Sequence, residues 1–178
     1  MGDLQLTPPH RPLLNDKAVQ YLEHIVQPGF VVFEFGSGAS TPWFAERVEY
    51  IYSVESDPDW HAAVWEALKP IGCYELTLCP VEDKYGSQHY ADQIKQQPDE
   101  SVDLVFIDGK ARPHCLLAAK PKVKPGGWMV MDDLTYNPVK TALHLLDDWQ
   151  FAASFKGRVL GAIDGHPRTN TTGFWRKP

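Results

Sequence analysis

The run Val31-Val32-Phe33-Glu34-Phe35-Gly36-Ser37-Gly38-Ala39-Ser40-Thr41-Pro42 constrains this chain more than any other stretch. Phe30 to Phe35 is apolar except at Glu34, the pattern of a strand covered on both faces. A Gly-x-Gly turn follows, and Thr41 and Pro42 supply cap and first-turn signals for a helix reaching about Val48. A glycine turn between a buried strand and a helix lets backbone N–H groups face a bound ligand. Glu34 sets a negative charge where a pyrophosphate would otherwise lie, which weighs against phosphate-rich ligands.

The rest of the chain alternates in the same way. Asn15 is placed to cap a helix running to about Val26, with Leu14, Ala18, Tyr21, Leu22 and Ile25 on one face. Further strands are expected at Tyr50–Val54, Tyr74–Leu78, Val102–Ile107 and Trp128–Met131. Helices are expected from Ser56-Asp57-Pro58, over His89–Gln97, from Arg112-Pro113 to a stop at Pro121, and from Asn137-Pro138. Lys124-Pro125-Gly126-Gly127 reads as a turn. Phe151–Leu160 and Thr171–Arg176 read as an antiparallel β-pair. Strands alternating with helices make this an α/β chain with a mainly parallel sheet, doubly wound, and 178 residues suit one domain, with residues 1–29 as an N-terminal helix and lead-in.

A net charge of −6 argues against a nucleic-acid surface. No apolar run is long enough to span a membrane, and Met1 to His10 lacks the apolar core of a secretion signal. Cys73 and Cys79 would be roughly 20 Å apart along one strand, too far for a disulfide. With Cys115 they read as small buried hydrophobes in a reducing, cytoplasmic setting. The six tryptophans, Trp43 and Trp60 among them, read as packing residues.

Four expected strands end in acids: Glu34, Glu55, Asp108 and Asp132-Asp133. Glu82-Asp83 closely follows the third strand. In an open parallel sheet ligands bind beyond the carboxyl ends of the strands, so these acids converge on one rim. An acid at the end of the second strand is placed to accept hydrogen bonds from two ribose hydroxyls. Nicotinamide and sulfonium cofactors share that spacing. Thr41 stands where a G-x-G-x-x-G turn has its third glycine.

Taken together, Glu34-Phe35-Gly36-Ser37-Gly38, Glu55, Ile107-Asp108-Gly109 and the Lys124-to-Gly127 approach to Asp132-Asp133 resemble the class I S-adenosylmethionine-dependent methyltransferases. The resemblance covers roughly residues 30 to 135 and implies a Rossmann-like fold ending in an antiparallel β-pair. It implies that Gly36, Ser37, Gly38, Ser40 and Thr41 cradle the methionine part of S-adenosylmethionine, with Glu34 near its ammonium. It implies Glu55 and Ser56 at the ribose, Val81 and Glu82 beside the adenine, and Asp108-Gly109 as the pocket floor. Lys110-Ala111-Arg112 departs from the family pattern, which often has an acid and a histidine at the first two positions. His114, three residues past Ala111, is a candidate substitute.

A sulfonium is a good leaving group, so the protein mainly has to align nucleophile, methyl and sulfur. A base for an O or N nucleophile would come from Asp108, Asp132 or Asp133. The acids are read as metal-free, with Mg²⁺ or Ca²⁺ as the less favoured alternative. The expected partner is a small-molecule acceptor; so small a chain leaves open an exposed site, a large substrate or a pocket completed by a homo-oligomer. The competing readings are a nicotinamide-dependent oxidoreductase, disfavoured by Thr41 and Glu34, and a methyltransferase-like module that binds without turnover. Elements available to recognise an acceptor are the first 29 residues, the loop at 84–88 and the loop at 164–170.

Overall fold

The computed structural model describes residues 6, 8–81, 86–159 and 168–178. Seven strands form one sheet: β1 (Val31–Phe35), β2 (Tyr50–Glu55), β3 (Tyr74–Leu78), β4 (Val102–Ile107), β5 (Val123–Met131), β6 (Gln150–Val159) and β7 (Arg168–Arg176). Their order is β3-β2-β1-β4-β5-β7-β6. The first five in space run parallel, and β7 pairs antiparallel with both β5 and β6. After β1 the chain winds outward through β2 and β3, then returns to β4 on the other side of β1. The β1/β4 crevice is therefore the topological switch point, where such sheets bind ligands.

Six helices cover the two faces. α1 (Asp16–Ile25), α2 (Ser40–Ala45) and α3 (Pro58–Leu68) pack Leu22, Phe44 and Val64 against Val32, Ile51, Leu104 and Phe106. α4 (Gly86–Asp92), α5 (Arg112–Ala119) and α6 (Asn137–Ala142) pack Tyr90, Leu116 and Val139 against Phe33, Phe35, Val105 and Ile107. Successive strand residues point to opposite faces. The central strands β1 and β4 are covered on both faces, which is why they read as mainly apolar runs. Glu34 shares the α1–α3 face with Val32 and is fully buried there.

Local signals act largely as expected. The Asn15 side chain accepts from the Ala18 amide, and the Asp57 carboxylate accepts from the amides of Asp59 and Trp60. Four expectations need correction. Lys124-Pro125-Gly126-Gly127 lies within β5 as a bulged segment, because Gly126 at φ +74° absorbs an extra step while pairing to β4 resumes at Trp128. Thr41 sits inside α2 rather than capping it, and its hydroxyl is turned onto Glu34. Helices α4 and α6 each tighten into a 3₁₀ turn, over Gln93–Gln96 and Leu143–Leu146. Cys79 and Cys115 are buried, but Cys73 is exposed, at φ 59° just before β3. Among the described residues no helix is long and apolar enough to cross a membrane.

Candidate active site

Beyond the carboxyl ends of the parallel strands lie two adjoining clefts. The first, about 390 Å³, is built on the glycine turn: Gly36, Ser37, Gly38 and Ser40 line it, with Glu55, Ser56 and Asp57 from the end of β2 and Asp108, Gly109 and Lys110 from the end of β4. The second, about 700 Å³, is lined by Asp108, Asp132 and Asp133 and by Arg168, Thr169 and Asn170 of β7. Leu13, Trp60, Asp108, Arg112 and Arg168 line both, so the clefts share a wall rather than lying apart.

The turn is shaped from below by Glu34. Its carboxylate accepts from the hydroxyls of Ser40 at 2.5 Å, Thr41 at 2.6 Å and Ser53 at 2.6 Å. The Thr41 hydroxyl oxygen in turn accepts from the Gly38 amide at 3.0 Å. Burial pushes the Glu34 carboxyl up to about 7 against the pull of these three hydroxyls, and the nearby Glu55 charge adds to the rise. Glu34 and Thr41 are fully buried and are not among the residues lining the cleft. Glu34 therefore supports the turn from beneath the cleft, through the hydroxyls of Ser40, Thr41 and Ser53.

Glu55 faces the cleft with one oxygen already committed. Its Oε1 accepts from the amides of Ser56 at 2.7 Å and Asp57 at 2.8 Å, while Oε2 accepts from the Ser37 hydroxyl at 3.2 Å. Oε2 thus retains acceptor capacity toward the cleft. Val81 packs against the apolar core on the α4–α6 side and is not among the lining residues. Glu82 lies outside the described residues.

The strand-end aspartates divide into three environments. Asp132 is buried, and its carboxylate accepts from Asn170 Nδ2 at 2.8 and 2.9 Å and from the Thr172 hydroxyl at 2.6 Å. Burial raises its pKa, Asn170 and Thr172 oppose the rise, and Asp133 adds to it. Asp108 is paired with Arg112 at 3.0 Å. Burial and the neighbouring Asp132 charge still leave it well above the usual carboxylate range. Asp133 has a side chain 47% exposed, at φ +54° in the left-handed region that aspartate tolerates. Arg112 Nη1 lies 3.5 Å from its carboxylate.

Sequence reasoning missed four contributors. Trp60 was read as packing but is half-buried and lines both clefts. Arg112 appeared only as a family departure, although its spacing of four from Asp108 is that of an ion pair. Asn170 and Thr172 alternate along β7, a period-2 signal for one sheet face. His114, the candidate substitute, is exposed and not among the residues lining either cleft. Trp43 is buried against Phe44, with the Arg47 guanidinium 4.6 Å from its ring, as the packing reading expects.

A sequence profile described as "Methyltransferase domain" matches residues 33–134, more than half of the chain and the whole span from β1 to the acids after β5. The chain belongs to the methyltransferase family. Its fold is that of the class I S-adenosylmethionine-dependent enzymes. The structure of a precorrin-8w decarboxylase from Methanobacterium thermoautotrophicum superposes with a TM-score of 0.68 at 17% identity, covering 98% of this chain and 97% of that one. A Klebsiella pneumoniae structure assigned as an O-methyltransferase gives 0.69 at 17% identity, with coverages of 93% and 82%. A tRNA methyltransferase from Aquifex aeolicus gives 0.65 at 16%, with coverages of 100% and 73%. At such identities these likenesses speak to the fold alone. No curated protein sequence matches the chain. The nicotinamide-dependent alternative is set aside, because the matched span of this methyltransferase contains the glycine turn itself.

Proposed function

We propose that this methyltransferase moves a methyl group from S-adenosylmethionine to an oxygen or nitrogen of a small molecule. The observation that carries the reading is the shared wall: the glycine-turn cleft and the larger acid-lined cleft meet at Asp108, Trp60 and Arg112. A donor held in the first would present its reacting end toward the second.

The residues present suit the cofactor. Space is open around Gly38, where a Cβ would meet nothing within 4 Å, so backbone and ligand have room to approach. Glu55 offers Oε2 to a ribose diol, with Ser37 and Ser56 beside it. Ser40 and Gly36 line the methionine end, and Gly109 floors it. When bound, S-adenosylmethionine supplies an electrophilic methyl on a positively charged sulfur. The protein's own task is then to align the acceptor and exclude competing water.

Asp133 is the base in this reading. Asp132 is consumed by Asn170 and Thr172, and Asp108 by Arg112, whereas Asp133 keeps an exposed carboxylate in the acceptor cleft. It would take the proton from a hydroxyl as the methyl arrives, or from an ammonium beforehand so that the freed amine lone pair attacks the methyl. Leu13 and Trp60 give the acceptor an apolar wall. The net charge of −6 favours a small acceptor over a nucleic acid. Three free cysteines suit the reducing cytoplasm.

Calorimetry with S-adenosylmethionine and with NAD tests the cofactor: saturable binding of the first and none of the second is expected. Transfer of labelled methyl to a panel of phenols, catechols and amines tests the acceptor class. Absence of S-adenosylmethionine binding would sink the reading.

A further inference from the structure

Five oxygens converge on one guanidinium at the junction of the two clefts. Arg112 Nε donates to the Gly109 main-chain oxygen at 3.0 Å, and Nη1 donates to the Asp132 main-chain oxygen at 2.7 Å. Nη2 donates to the Asp108 main-chain oxygen at 2.8 Å and to its carboxylate at 3.0 Å. The Asp133 carboxylate completes the set, 3.5 Å from Nη1. Carbonyls and carboxylates gathered in this way are the ligand set of a hard divalent cation. Here a side chain fills the seat, and its donors are committed to the protein rather than offered to a substrate.

We propose that Arg112 is a built-in cation: it organises the ends of β4 and β5 as a bound divalent ion would and occupies the seat that such an ion would need. The charge argument supports it. Asp108, Asp132 and Asp133 bring three acids to two strand ends, and uncompensated they would repel one another across the floor of the acceptor cleft. The Arg112 side chain lines that cleft, is 14% exposed and ties both strand ends at once. Arginine also suits the place better than lysine, because its planar fork reaches several oxygens in fixed directions. Ala111 at φ +49° starts α5 at the turn that swings Arg112 back over the strand ends.

The proposal makes Arg112 a positioning residue. It rests on the methyltransferase reading only for its catalytic consequence; the cation seat is tested without the cofactor. The probe is Ca²⁺, whose flexible coordination tolerates an imperfect cage and whose remaining ligands can be water. Wild-type protein, Arg112→Ala, Arg112→Lys and Arg112→Ala/Asp133→Asn are titrated with Ca²⁺ by calorimetry, and thermal midpoints are read with and without the ion. Wild type and Arg112→Lys are expected to show no saturable binding. Arg112→Ala is expected to bind with a Kd on the order of 1 mM and to gain thermal stability from the ion. The added Asp133→Asn should abolish both effects.

Saturable Ca²⁺ binding by wild type that Asp133→Asn removes would overturn the proposal. So would a folded Arg112→Ala that takes up no Ca²⁺. If Arg112→Ala folds only when Ca²⁺ is present, the proposal is supported. If it folds in neither condition, Arg112→Gln decides, and a Gln variant that binds no Ca²⁺ also overturns it. S-adenosylmethionine titrated separately into wild type reports on the cofactor reading, so the two can fail independently.

Discussion

Gly36 and Gly109 lie back to back across the switch point of the sheet. A Cβ on Gly36 would collide with the Gly109 Cα, and a Cβ on Gly109 would fall 2.7 Å from the Gly36 nitrogen and against the Tyr90 hydroxyl. Tyr90 is itself fixed by donating to the Val54 main-chain oxygen at 3.1 Å. The first strand and the fourth thus close on each other with no room for a side chain. That contact sets the floor of the glycine-turn cleft.

The two glycines of the turn should therefore fail in different ways. Gly36 has φ +90° and no space, so Gly36→Ala should cost roughly 3 kcal/mol or more of stability, from strain and overpacking together. Gly38 has open space, so Gly38→Leu should stay within about 0.5 kcal/mol of wild type yet lose S-adenosylmethionine binding. Thermal melts and calorimetry on the two variants separate these outcomes. Retained affinity in Gly38→Leu would reject the proposed pose of the turn.

Glu34 ties stability to pH. Burial lifts its folded pKa to about 7, above the 4.5 of a free glutamate carboxyl. Between those two values the folded state holds a proton that the unfolded state has lost. Stability is therefore fully present below about pH 4.5 and declines as pH rises toward 7, by roughly 3 kcal/mol from this group. Glu34→Gln keeps an amide able to meet the Ser40, Thr41 and Ser53 hydroxyls and does not titrate. Denaturant unfolding from pH 4.5 to 8 should show the decline in wild type and a flatter profile in the variant. Parallel profiles would assign the pH dependence to other groups.

The alternation of strands and helices was legible because the central strands are covered on both faces and so appear as mainly apolar runs. The bounds of β3 and β4 match the sequence reading residue for residue. The turn over Lys124 to Gly127 was misread because Pro and Gly signal a change of direction, whereas pairing to β4 at Val123 and again from Trp128 brackets that segment as a bulge within the strand. In the site, convergence of the acids followed from topology, but their division of labour did not. Whether Asp132 or Asp133 faces solvent depends on Asn170 and Thr172, some forty residues away and brought close only by the antiparallel β7. The burial of Glu34 was hidden for the same reason: nothing local announces that Ser53, on the neighbouring strand, will donate to it.

Glu55→Gln isolates the ribose contact. The remaining carbonyl can still accept from the Ser56 and Asp57 amides, which keeps the β2–α3 turn in place. The new amide replaces Oε2, the acceptor left for a diol. S-adenosylmethionine affinity should fall by about 1–2 kcal/mol with an unchanged melting temperature. Unchanged affinity would remove Glu55 from the ribose site.

Asp132 and Asp133 are neighbours in sequence and should behave as opposites. Asp132→Ala strips the acceptor from the buried Asn170 amide and Thr172 hydroxyl, and Asn170 in turn accepts from the Asn15 side chain at 3.2 Å. The loss should reach from the acid-lined cleft to the cap of α1, at a cost of roughly 2–4 kcal/mol. Asp133→Asn changes no buried bond and keeps a residue type at home at φ +54°, so its melting temperature should match wild type. Its methyl transfer to any acceptor found in the panel should drop by about 100-fold or more, the scale of a lost general base, while S-adenosylmethionine affinity is retained. A stable, fully active Asp133→Asn would mean that the acceptor arrives already deprotonated or loses its proton to water, and that the strand-end acids serve only to shape the cleft.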